Sequence, residues 1–357
     1  RATDRIGISN CVGIPKHEAS SLFRFRQAGR ILCGATCAIS RDTVPTSRRE
    51  AIPRVAFSIA AASSLLLPNR VAAKDSEAVW TPDTRLALEG GKVQVPVIGF
   101  GTYNTKPEQV TKAVAAAMAE GMRGFDCGSA YGNEKEVGQA IKDSGLARRE
   151  LCLTSKIANA YQTKPREAVL RSIQNLNAEY LDLVLVHSPL TDKSRRVKCW
   201  EELQACKAEG LVSSIGTANF GIQPLSEIEA AGLPSPALNQ LELSPFNQRR
   251  EIAEWCKARS IALSSGSWSK LSNKETGAKN WPKLKEVAVA KGILPQQALI
   301  AWSLQRRILC NPRSAAENDK DIETIQQNFS GMRGVVLSQE QLATIDALDE
   351  ALRSGAL

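Results

Sequence analysis

From residue 98 onward the apolar positions fall into short runs separated by stretches of mixed character. The runs are Ile98 to Thr102, Gly124 to Cys127, Leu151 to Lys156, Leu181 to His187, Val212 to Asn219, Ala237 to Glu242, Ile261 to Ser265 and Ile308 to Pro312. An apolar run of this length, without strict alternation, is the pattern of a strand buried on both faces. Between the runs, Pro107 to Glu120, Glu134 to Ser144, Arg166 to Asn177, Trp200 to Glu209 and Gln248 to Arg259 repeat apolar residues at helical spacing. Strands and helices alternating in this way predict an α/β fold, a closed (β/α)8 TIM barrel. No GxGxxG follows the first strand, which argues against an open dinucleotide-binding sheet. Ahead of the barrel, Leu86 to Val97 alternates around Gly90-Gly91 and predicts an N-terminal β-hairpin. Ser338 to Leu352 predicts a last helix with little tail behind it.

Composition adds a boundary. The chain has 357 residues, 43% hydrophobic, and a net charge of +9. Residues 1–73 hold 11 Lys/Arg against 4 Asp/Glu, so the basic excess belongs to that segment and the remainder gives no nucleic-acid footprint. Up to Thr46 the segment is rich in Arg and Ser and poor in acids. Then come Ser47-Arg48-Arg49, an apolar stretch Ala56 to Leu67, and Val71-Ala72-Ala73. This is the order of a basic region, an apolar region and a small-residue cleavage site. Residues 1–73 therefore read as a disordered targeting leader, and 74–357 as the folded domain. The apolar stretch is too short and alanine-rich for a stable membrane anchor. The leader resembles the bipartite leaders of thylakoid-lumen proteins, which implies a chloroplast, thylakoid-lumen destination. A simple transit peptide to the stroma or another organelle is the alternative.

Three of the nine cysteines lie in the leader, and the others show no CxxC or His-paired spacing, so no metal site is expected. Cys199 and Cys206 stand roughly 10 Å apart along a helix, too far to bridge. Cys127, Cys152 and Cys310 read as small buried hydrophobes.

The chain has two histidines, His17 in the leader and His187 at the end of the fourth strand. The second strand ends on Asp126, with Tyr131 in the loop beyond, and the third ends on Lys156. In a barrel these ends converge on one mouth. A lysine beside a tyrosine is expected to lower the phenol's pKa, and an aspartate to keep that lysine charged and aimed. Taken singly, Lys156 and Asp126 read better as a structural ion pair and Tyr131 as a rim aromatic, while His187 reads equally well as a strand cap.

Taken together, these residues resemble the tetrad of the aldo-keto reductase family. So do GFGTY (Gly99 to Tyr103), DCGSAYGNEKEVG (Asp126 to Gly138), LTSK, YLDLVLVHSP, EGLVSSIGTANF, LNQLELSPF, the segment Asn311 to Ser314, and QQNF (Gln326 to Phe329). The resemblance implies NADPH-dependent reduction of a small aldehyde or ketone by a monomer. Tyr131 would be the general acid, Lys156 and Asp126 its tuning pair, and His187 the group orienting the carbonyl. It implies NADP(H) contacts at Gly101, Thr102, Asn219, Gln240, Arg313, Ser314 and Asn328, and substrate contacts at Tyr103, Ser188 and Trp268. Departures accompany it. Ala218 replaces a serine, Gly266 the aromatic that stacks on the nicotinamide, and Thr324 a second arginine. Ser188 and Ala158 replace pocket aromatics, and a loop is expected from Leu190 to Lys198. These departures predict a wide, wet pocket. Trp268 is expected to stand in for the missing stacking ring. The other functional reading is a cofactor-binding redox sensor or regulatory barrel with little turnover.

Overall fold

The computed structural model describes residues 78–266, 268, 280–314 and 316–349. The leader 1–73, its Arg48-Arg49 pair and the cleavage after Ala73 lie outside the described residues. The chain enters through an antiparallel hairpin, β1 (Arg85–Leu88) and β2 (Val93–Pro96), with Leu86 opposite Val95. Its turn uses the expected pair, Gly90 at φ +70° and Gly91 at φ +98°, conformations that favour glycine.

Eight parallel strands follow: β3 (Phe100–Gly101), β4 (Gly124–Asp126), β5 (Cys152–Ile157), β6 (Leu181–Val186), β7 (Val212–Ala218), β8 (Leu238–Leu241), β9 (Ala262–Ser265) and β10 (Ile308–Cys310). Each pairs with the next, and the two edges meet. Cys310 N donates to Val97 O (3.0 Å), Gly99 N to Cys310 O (2.9 Å) and Gly101 N to Pro312 O (3.0 Å). The expected TIM barrel is therefore present, with its hairpin. The helices of its outer layer are α1 (Pro107–Ala119), α2 (Glu134–Ser144), α3 (Pro165–Asn175), α4 (Lys193–Ala208), α5 (Ile222–Ala230), α6 (Arg250–Ala258), α7 (Trp281–Lys291), α8 (Pro295–Gln305), α9 (Asp319–Asn328) and α10 (Gln339–Asp346).

Two apolar cores result from the alternation of strand side chains between the two faces. Outward residues such as Phe125, Leu153, Val184 and Ile215 pack against the helices together with Trp200, Phe220 and Trp302. Inward residues Cys152, Leu183, Leu185, Leu238 and Leu309 pack against Leu88, Val93 and Val95 of the hairpin. The hairpin thus fills the N-terminal end of the barrel with apolar side chains, and polar chemistry is confined to the other end.

Two expectations need correcting, and one helix lies where the sequence shows no period. Two thirds of the loop Leu190 to Lys198 is helix: Asp192 accepts from Arg195 N at 2.9 Å and starts α4 at Lys193. That first stretch, KSRRVK, is too polar to show a helical period. The last helix is shorter than expected, ending at Asp346, and residues beyond Asp349 lie outside the description. Helix α8 gave no amphipathic signal because it is buried all round, from Gln297 through Leu304. Among the described residues no helix is long and apolar enough to cross a membrane, and no cluster of metal-ligating side chains occurs.

Candidate active site

The ends of β4, β5 and β6 bring four side chains together. On β5 the alternation sends Lys156 inward and its neighbour Ser155 outward, toward α2 and α3. Lys156 Nζ donates to Asp126 Oδ1 at 2.6 Å and to Cys127 O at 2.8 Å. Both side chains are buried, 1% and 9% exposed. The ammonium stands 5.0 Å from the centre of the Tyr131 ring. The Tyr131 and His187 rings meet edge to face with centroids 5.7 Å apart. Asp126, Tyr131, Lys156 and His187 therefore share one mouth, as the strand spacing predicts.

Burial pulls the Lys156 ammonium down in pKa, but Asp126 and Tyr131 beside it together more than offset this, so Lys156 stays charged. Burial and the Lys156 charge hold the His187 imidazole below its ordinary pKa, against a smaller upward pull from Asp126, and favour its neutral form. Tyr131 departs from expectation. Lys156 does favour its phenolate, but burial outweighs that and the phenol sits above its ordinary pKa. The phenol therefore holds its proton at neutral pH.

Gly128 makes room for the ring. A Cβ there would lie 2.9 Å from Tyr131 Cζ, inside contact distance. A Gly128→Ala enzyme is expected to stay folded but push the phenol off its place, with turnover falling about tenfold or more; a melting curve and steady-state rates read the two effects separately.

The other expected residues are distributed around this centre. Thr102 is fully buried, its hydroxyl on Asp126 O at 3.2 Å, and Tyr103 is 54% exposed at the rim with its ring 5.1 Å from that of Tyr131. Gly101 is required by packing, since a Cβ would meet Asn311 O at 2.7 Å. Asn219, in left-handed backbone at φ +62°, donates from Nδ2 to His187 O at 3.0 Å. Gln240 Nε2 donates to Asp126 Oδ1 at 3.2 Å, which makes it a third member of the Lys156–Asp126 pair. Ser188 Oγ donates to Asn159 Oδ1 at 2.7 Å, and Ser188 O accepts from buried Gln162 at 2.9 Å. Sequence reasoning missed Asn159 and Gln162, which lie in a turn without apolar period.

Trp268 does not take the place of the missing ring. It is 3% exposed within the outer core and its Nε1 donates to Leu243 O at 2.8 Å, so no face of the indole is free. Among the described residues, nothing lies within 4 Å of a Cβ placed on Gly266; residues 267 and 269–279 lie outside the described residues.

Beyond β10, the Gly101–Pro312 hydrogen bond sets Arg313 beside the end of the first barrel strand. Arg313 is partly buried with an Nε that has no hydrogen-bond partner among the described residues, and burial pulls its pKa down. Asn328 is buried with an unpartnered Oδ1. The orphaned Arg313 Nε–H fits an anionic acceptor, and the orphaned Asn328 Oδ1 fits a hydrogen-bond donor such as an amino group. Ser314 is less available, since its Oγ donates to Asp321 O at 2.9 Å. Thr324 Oγ1 likewise donates to Lys320 O at 2.8 Å. The six cysteines of the barrel are free and buried; burial pushes the Cys256 thiol up to about 11 and the Cys199 thiol to about 12, so they stay protonated. A cavity of about 1420 Å³ between the hairpin, α6 and α8 is lined by none of the tetrad.

Fold and mouth together define a (β/α)8 barrel that holds a protonated phenol, a neutral imidazole and a buried ion pair at one end. Residues 97–350 match the model of the Aldo/keto reductase family. The methylglyoxal reductase DkgA of Salmonella typhimurium is 34% identical over 273 residues, 76% of this chain and 96% of that relative. The rat aldo-keto reductase family 1 member A1 is 30% identical over 291 residues, 73% of this chain and 88% of the relative. Among solved structures, an aldo/keto reductase from Brucella melitensis superposes with a TM-score of 0.67 at 30% identity, over 74% of this chain and 99% of that one. The chain belongs to the aldo/keto reductase family.

Proposed function

We propose that the protein reduces aldehydes or ketones to alcohols with NADPH, Tyr131 acting as general acid. The convergence of phenol, ammonium, carboxylate and imidazole within 2.6–5.7 Å carries this reading. A regulatory barrel has no need of that convergence. The bound nicotinamide would supply the hydride that the carbonyl carbon accepts. The rest falls to the chain itself. A neutral His187 donates a hydrogen bond to the carbonyl oxygen and aims it at Tyr131. As negative charge develops on that oxygen, Tyr131 gives up its proton, and Lys156 stabilises the phenolate left behind. Asp126, shared by Lys156 and Gln240, keeps the ammonium from turning away.

For the cofactor, Gly101, Thr102, Asn219 and Gln240 would meet the nicotinamide end. Arg313 and Asn328, with their orphaned Nε and Oδ1, would meet the adenosine end. A guanidinium suits the extra phosphate of NADPH, through charge-assisted hydrogen bonds. Arg313→Ala is expected to weaken NADPH binding roughly tenfold or more while NADH binding changes little. Fluorescence titration of the purified protein with each nucleotide measures this; equal losses for both would remove the phosphate role. DkgA is a methylglyoxal reductase, and the lack of a side chain at Gly266 together with the small residues Ala158 and Ser188 favours a loosely held carbonyl compound. NADPH consumption across a panel of short aldehydes tests the reaction; a rate no greater with aldehyde than without it overturns it. The lumenal destination of the leader belongs to the same proposal, and a leader–reporter fusion imaged in plastids tests it.

A further inference from the structure

The loop carrying Tyr131 is stitched to β5 at both ends. At its start Ser129 Oγ donates to Lys156 O (2.7 Å). At its end stands Glu134, a carboxylate only 5% exposed that the proposed chemistry does not use. Its Oε1 accepts from Ser155 Oγ at 2.6 Å and its Oε2 from Asn175 Nδ2 at 3.2 Å, and Ser155 Oγ also lies 3.3 Å from Ser172 Oγ. No cation pairs with it among the described residues; its hydrogen bonds come from neutral donors, and it stands in the N-terminal turn of α2. The residue before it, Asn133, is fully buried and donates to Thr102 O and Thr105 O, both at 2.9 Å. Ser155 and Lys156 are consecutive on one strand and face opposite sides of it. Glu134 therefore grips, from outside the barrel wall, the strand whose next side chain faces Tyr131 from inside.

We propose that Glu134 is a positioning residue that, through Ser155, fixes the separation between the Tyr131 phenol and the Lys156 ammonium. The catalytic meaning of that separation rests on the reductase reading; the positioning itself does not. A buried carboxylate is costly to keep unless its hydrogen bonds are met. Here the cost is set against a rigid link between the α2 end and β5. Without the link, the loop would relax about Asn133 and Ser129, and the phenol would drift from the ammonium. The titratable groups facing Tyr131 are Lys156, Asp126, Cys127, His187 and Tyr103. Only Lys156 among them is a cation that stays charged through the neutral range, so weakening this one contact moves the phenol's titration upward.

The chain contains four tyrosines, Tyr103, Tyr131, Tyr161 and Tyr180, so each can be followed by carbon-13 NMR of tyrosine-labelled full chain, with Tyr131→Phe assigning the signal of interest. Ser155→Ala and Glu134→Ala are expected to raise the Tyr131 titration midpoint by about half a pH unit or more, leaving Tyr161 and Tyr180 in place. With a reactive aldehyde, kcat is expected to fall roughly tenfold and KM to change less than about twofold. Glu134→Gln keeps an acceptor oxygen for Ser155 and is expected to recover most of both effects. Should Glu134→Ala fail to fold, Ser155→Ala decides. A Tyr131 midpoint that stays put or moves down in Ser155→Ala overturns the proposal, whatever happens to the rate. An upward shift in a protein whose wild type reduces no aldehyde supports the positioning role and overturns the reductase reading instead.

Discussion

Replacing Tyr131 by phenylalanine is expected to lower turnover at least about 100-fold, the range for loss of a positioned general acid, while nucleotide binding and melting temperature stay near wild type. The ring of phenylalanine occupies the same space against Gly128 and the edges of Tyr103 and His187, so packing is kept and only the hydroxyl is lost. His187 is the other nearby group that could supply a proton, but burial and the Lys156 charge lower its pKa and leave it neutral, a weak acid for this purpose. The same directions shape the pH profile. The reductive rate needs a protonated phenol, and burial places that pKa above its usual value, so the rate is expected to stay level through neutral pH and fall only in strongly alkaline solution. His187 donates to the carbonyl whether neutral or protonated, and its pKa is held below the usual histidine range, so it is expected to cause no change of rate through neutral pH. A profile that rises toward high pH would assign the proton to some other group.

How much of this was legible beforehand depends on what each residue's signal reports. Strands buried on both faces announce themselves as apolar runs, and all eight appear within a residue or two of the expected places. Helix α8 carries the same apolar character all round and so shows no period. The tetrad was legible as a set of strand ends, because barrel topology brings such ends together whatever their sequence separation. Its electrostatics were only half legible. That Lys156 stands beside Tyr131 follows from topology; that desolvation outweighs the ammonium follows from packing, which the sequence does not display. Trp268 shows the same gap, since an indole two residues past a strand end can face the mouth or the core, and the carbonyl of Leu243 decides for the core. Glu134 was hidden for another reason. An acid in the first turn of a helix ordinarily complements the helix dipole at the surface, and only its contacts with Ser155 and Asn175 reveal it as an interior group.

The second large effect is expected on stability. Lys156 and Asp126 form a buried ion pair at 2.6 Å, and removing one partner of such a pair typically costs about 3–5 kcal/mol, because the other charge is left in a poorly solvating interior. Lys156→Met is therefore expected to lower the melting temperature by roughly 10 °C at neutral pH. The stranded group is then the Asp126 carboxylate, with the Gln240 amide as its remaining donor at 3.2 Å. Burial without a cation favours the protonated acid, so its folded-state pKa in this variant rises above that of the unfolded chain. A carboxyl group shifted that way favours folding at low pH, and the benefit is lost as pH rises through the raised pKa. The gap in melting temperature between Lys156→Met and wild type is accordingly expected to narrow as pH falls from neutral toward the acid range. Adding Asp126→Asn removes the stranded charge, so the double variant is expected to melt above Lys156→Met at neutral pH, with the difference between the two variants closing as pH falls. Calorimetry of the three proteins at several pH values separates this from simple loss of packing, which would give a gap independent of pH in the single variant.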